Sequence, residues 1–146
     1  MKLSTKGRYG LKAMFVLALE QDKGPIPLKL IANRQNISMQ YLEQIFSALK
    51  KANLVKSVRG AQGGYLLAKN AKDITVGDVL NVLEGPVSIS ECMLDEDICE
   101  NSNTCVTKGV WEKIKKGIED VTYSITLQDM IDDNVKNEQD HNIEYN

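Results

Sequence analysis

The residues best suited to chemistry in this chain are three cysteines, Cys92, Cys99 and Cys105, separated by six and five residues and set among Glu91, Asp95, Glu96, Asp97 and Glu100. The opening MKLSTKGRYGLKAMF lacks the apolar run and cleavage site of a signal peptide, and no stretch approaches the roughly 20 apolar residues of a membrane span. A cytoplasmic chain is expected, and there clustered cysteines point to metal or redox chemistry before disulfides. Structural zinc sites use paired C-x2-C knuckles that bite one ion. Thiolates spread along a loop can reach the different irons of a polynuclear cluster, which favours iron-sulfur. The acidic neighbours are not expected to lower the thiol pKa values, so a peroxide-sensing thiolate is weakly indicated. Inert thiols acting as small hydrophobes stay open as the alternative. A cluster needs a fourth ligand, and the single histidine, His141, falls in a polar stretch where it reads as solvated.

These cysteines occupy a loop of about twenty residues between two helices. Before it, Thr75 resembles the N-cap of a helix bearing Val76, Val79, Leu80, Val82 and Leu83, closed by Gly85-Pro86. After it, helix resumes from about Thr107 to Ser124, with Val110, Trp111, Ile114, Ile118, Val121 and Ile125 in one stripe. That stripe must be buried against a twin subunit or against the chain's own earlier part, and paired half-sites favour the twin. Thr126 is placed to cap one more short helix, and the tail from about Asp133 reads as too polar to pack.

The net charge of −2 hides a division of the chain. Residues 1–72 hold 13 Lys+Arg against 3 Asp+Glu, net +10; the remaining 5 of 18 basic and 17 of 20 acidic residues give residues 73–146 a net −12. Only the first part would attract a polyanion. Its apolar positions Leu11, Met14, Phe15, Ala18 and Leu19 predict a largely buried helix over Thr5–Gln21 ended by Gly24-Pro25. Pro27 opens a second, short helix that stops near Asn36, and Ser38 caps a third over about Met39–Ala52. On this third helix Leu42, Ile45, Phe46 and Leu49 form the inward stripe, and Gln40, Glu43, Gln44 and Ser47 repeat the spacing on another face. Short amide and hydroxyl side chains on one exposed face suit the reading of base edges in a major groove. Leu54–Arg59, the glycine-rich Gly60–Gly64 and Tyr65–Leu67 then read as strand, turn, strand: a wing with Arg59 at its tip. No P-loop lysine or following helix supports a nucleotide site in those glycines.

Leu3-Ser4-Thr5-Lys6-Gly7-Arg8-Tyr9, Ile37-Ser38, Tyr41–Phe46, Leu54–Gly60, Gly63–Leu67 and the cysteine loop leading to Trp111 together resemble the Rrf2 family of bacterial transcription regulators, from Met1 to about Met130. The resemblance implies a mainly α fold with a small β-hairpin: a winged helix-turn-helix over 1–84, a cluster loop over 85–106, a dimerisation helix over 107–132 and a polar tail over 133–146. It implies a homodimer on a double-stranded DNA operator, with Gln40, Gln44, Arg59 and Gly60 touching DNA and Glu43 tuning promoter choice. It further implies a [2Fe-2S] cluster on Cys92, Cys99 and Cys105, supplied by cluster-assembly proteins. Cluster-binding relatives place a histidine three residues after the third cysteine; here that position is Lys108, whose protonated amine cannot ligate iron. Others use an acidic residue near the start, where this chain has Arg8. The fourth ligand is left to a loop carboxylate, the partner subunit or an external thiol. The expected function is a regulator, mainly a repressor, that senses cluster status. The alternatives are a regulator of cysteine and sulfur metabolism acting through thiols or a partner enzyme, and a metal or cluster carrier. No nucleophile–base pair, catalytic carboxylate pair or cofactor fingerprint suggests an enzyme.

Overall fold

The computed structural model describes residues 3–89, Met93 and 105–144. The chain opens with α1 (Thr5–Leu19), whose N-cap Ser4 accepts from the Gly7 amide at 3.3 Å. A short 3-10 turn over Gln21–Lys23 follows, where the sequence predicted helix as far as Gln21. Next come α2 (Leu28–Gln35) and α3 (Met39–Lys51), separated by Asn36 in the left-handed conformation, φ 53°, which asparagine tolerates. Strands β1 (Val55–Val58) and β2 (Gly64–Leu67) pair antiparallel, with Val55 opposite Leu67 and Val58 opposite Gly64. Thr75 and Asp78 form a reciprocal capping box at the start of α4 (Val76–Glu84). Then come α5 (Val106–Thr122) and α6 (Leu127–Glu144).

One apolar core joins these elements, α5 excepted. Met14 and Leu17 of α1, Ile31 of α2, and Leu42, Ile45, Phe46 and Leu49 of α3 are inaccessible or nearly so, together with Val55, Ile74 and Val79. The sheet gains a short third edge because Ile26, in the α1–α2 linker, exchanges two 2.9 Å backbone hydrogen bonds with Tyr65 of β2. Gly64 is required there: a Cβ at that position would collide with the Ile26 carbonyl.

The C-terminal part differs from the expectation. In place of a short helix followed by a polar tail, α6 runs for 18 residues and takes the start of that tail into a helix that stays largely unpacked. Thr126 and Asp129 cap it reciprocally, and Leu127 is fully buried in the core. The Val76 amide donates to the Ile125 carbonyl at 2.8 Å and the Leu127 amide to the Ile74 carbonyl at 2.9 Å, so the starts of α4 and α6 lie side by side. From Asp133 to Asp140 the residues, Asn134 apart, stand exposed on helical turns held by intrahelical pairs such as Asn134 to Glu138. By contrast α5 buries none of its residues; Val106, Val110 and Val121 stand exposed and the rest of its apolar stripe is half-covered.

Candidate nucleic-acid interface

The division predicted for α3 is present in full. Leu42, Ile45, Phe46 and Leu49 are buried, and Gln40, Glu43, Gln44 and Ser47 are all exposed. Ser38 caps the helix, its hydroxyl accepting from the Tyr41 amide at 3.2 Å. With about 100° between successive residues, Tyr41 stands to one side of the polar face and Phe46 to the other. Each anchors a neighbouring element. The Tyr41 ring meets Tyr9 of α1 edge-on, centroids 6.1 Å apart, and Phe46 meets Tyr65 of the wing at 4.7 Å. The polar face is therefore bordered by α1 on one flank and by the hairpin on the other.

The hairpin turns over Arg59–Gly63, closed by the Gly63 amide donating to the Gly60 carbonyl at 3.0 Å. Gly60 has φ 117°, a conformation that L side chains rarely adopt. Arg59 and Gly60 are both exposed, as are Lys50 and Lys51 at the end of α3, Lys56 of β1 and Lys69 beyond β2. Sequence reasoning missed one tie here: Lys50 Nζ donates to Ser57 Oγ at 2.7 Å, joining the last turn of the helix to the first strand of the wing. Neither residue type nor spacing signals that pair, because it exists only once α3 and β1 are folded against each other.

Of the three cysteines, Cys92 and Cys99 lie outside the described residues, as do the acidic side chains between them. Cys105 is half-buried at the N-cap of α5, with its Sγ 2.9 Å from the Thr107 hydroxyl. That hydroxyl, foremost, and the Lys108 and Thr107 amides and the Lys108 charge hold its thiol below the ordinary value, although neither amide makes a full capping hydrogen bond. This corrects the expectation that the surroundings would not lower a thiol pKa. The lowering comes from the start of α5; the acidic residues on which the expectation rested lie outside the described residues. Such a sulfur suits a thiolate ligand for iron. Lys108 follows it by one turn and His141 lies far along α6.

A buried tri-helical core that presents a polar helix beside an exposed two-stranded wing defines a winged helix-turn-helix transcription regulator. The Rrf2 family, described as an iron-dependent transcriptional regulator, matches residues 3–133, and this chain belongs to it. Among relatives, IscR of Pectobacterium atrosepticum is 42% identical over 144 residues, covering 96% of this chain and 87% of that protein. T. potens IscR superposes with a TM-score of 0.76 at 53% identity, over 91% of this chain and 88% of the other. CymR, the global cysteine regulator of B. subtilis, superposes with a TM-score of 0.75 at 45% identity, over 89% and 95%. The curated relatives named are HTH-type transcriptional regulators. Among the described residues no helix is long and apolar enough to cross a membrane.

Proposed function

We propose that the protein is a cytoplasmic homodimer that binds a double-stranded operator, mainly as a repressor, and responds to the supply of iron-sulfur clusters. The observation that carries operator reading is the exposed polar face of α3 flanked by the wing. Gln40 and Gln44 offer amides to adenine edges, and Glu43 accepts from a cytosine amine or repels sequences that offer only acceptors. Arg59 and Gly60 approach the minor groove or its phosphates. The half-covered apolar stripe of α5 is the surface by which two copies join, which would place two recognition helices on successive half-sites.

Cys92, Cys99 and Cys105 are the residues to hold a [2Fe-2S] cluster, the geometry at Cys105 favouring its thiolate. When bound, a cluster would supply a ligand-dependent restraint that biases a two-state element. From the residues that hold it, α4 leads back to the head: Glu84, its last residue, accepts from the Ser4 amide at 2.9 Å and the Ser4 hydroxyl at 2.5 Å at the start of α1. Anaerobically purified protein is expected to show visible absorption and about two irons per chain, lost in Cys92→Ala. Equal operator affinity in holo and apo protein would refute cluster sensing while leaving DNA binding intact.

One observation favours a second reading. Lys108 replaces the expected histidine beside a thiol of lowered pKa, an arrangement that also suits a cluster-free regulator of cysteine supply acting through thiols or a partner enzyme, in keeping with the likeness to CymR. Colourless, iron-free protein that binds its operator and loses it on thiol oxidation would select this reading.

A further inference from the structure

We propose that Met39 is a specificity-determining residue, packing on the C5-methyl group of a thymine next to the base edges read by α3. The inference rests on the DNA-binding reading above. Met39 is the first residue of α3, directly after the Ser38 cap, and is 40% exposed. Isolated exposed apolar residues are ordinary, and Leu3, Leu19 and Leu30 are others in the same head. Met39 differs in its position. It precedes Gln40 and stands one turn before Glu43, on the side of the polar face that the wing borders. Side chains of a helix lean toward its N-terminal end, and the N-terminal residues of a recognition helix are the ones that reach base edges.

In a major groove the one apolar group among the base edges is the thymine methyl, which adenine, guanine and cytosine lack. A polar partner would gain nothing from it. An unbranched, polarisable thioether can cover it from a range of approach angles. The glutamines beside Met39 suit adenine, so the pairing points to a step in each half-site that includes adjacent A·T pairs, read by amide and thioether together.

Deoxyuridine pairs as thymine does but lacks the methyl, and so isolates this contact. Duplexes are selected from a random-sequence library with the full-length wild-type protein, and each thymine of the selected duplex is then replaced in turn by deoxyuridine. Wild type is expected to lose about fourfold in affinity at one thymine per half-site, the value of one buried methyl group. Met39→Ala should bind the thymine and deoxyuridine duplexes equally, and Met39→Leu should still distinguish them. A deoxyuridine penalty that persists in Met39→Ala, or its absence at every thymine in wild type, overturns the proposal. Failure to enrich any sequence would instead strike at the DNA-binding reading, and the proposal would fall with it.

Discussion

Arg59 occupies the exposed turn of the wing, where a guanidinium can meet phosphate or the narrow minor groove. Arg59→Ala is expected to weaken operator binding about tenfold and to lower the salt slope by about 1, read from binding isotherms over a range of salt. Cys105 differs in kind, because its behaviour comes from the place the fold gives it. With Cys92 and Cys99 replaced by serine, alkylation of Cys105 should follow a thiolate midpoint below that of free cysteine, and Thr107→Val should move the midpoint upward. While Cys92 and Cys99 lie outside the described residues, the exposed positions of Gln40, Gln44 and Arg59 were legible from residue type and spacing. The thiol pKa was not, since composition shows acidic neighbours while the sulfur responds to a hydroxyl and amides that gather only when α5 forms.

The starts of α3, α4 and α6 are marked by short polar residues, and they were read correctly at Ser38, Thr75 and Thr126 because a cap is a local rule. Ser38→Ala is expected to cost about 1 kcal/mol of stability by denaturant unfolding and to weaken operator binding further by fraying the end of α3. At the end of α1, Lys23 and Arg34 hydrogen-bond Glu20 and hold its carboxyl below the ordinary 4.5. A depressed carboxyl contributes stability that is complete above its unfolded value and lost as pH falls through the folded one. Glu20→Gln should therefore be slightly less stable than wild type at neutral pH and match it in acid, as thermal midpoints measured across that window would show. The length of α6 escaped the sequence reading. Its later turns carry few apolar residues, and their helicity rests on i,i+4 polar pairs and on the anchoring of Leu127, neither of which a hydrophobic pattern registers. The Ile26–Tyr65 pairing was hidden for another reason: it joins segments far apart in sequence through backbone atoms that carry no residue signature.

Over the whole molecule, net charge and burial divide the chain at similar places. The basic residues lie in the part that holds α3 and the wing, and α5 has no buried residue. Ile114→Glu combined with Ile118→Glu should yield a monomer by light scattering whose head still unfolds cooperatively, because neither residue belongs to the core. The pairing of Ile74–Val76 with Ile125–Leu127 bears on how such a protein can change over generations. The chain leaves the head after Glu84 and rejoins it at Ile125, beside the start of the very helix it left. The two ends of the intervening segment are thus fastened at opposite ends of α4, and closing a longer or shorter segment between them costs only the logarithm of its length. Natural variation can thus lengthen, shorten or exchange the segment between α4 and α6 while the winged head stays folded.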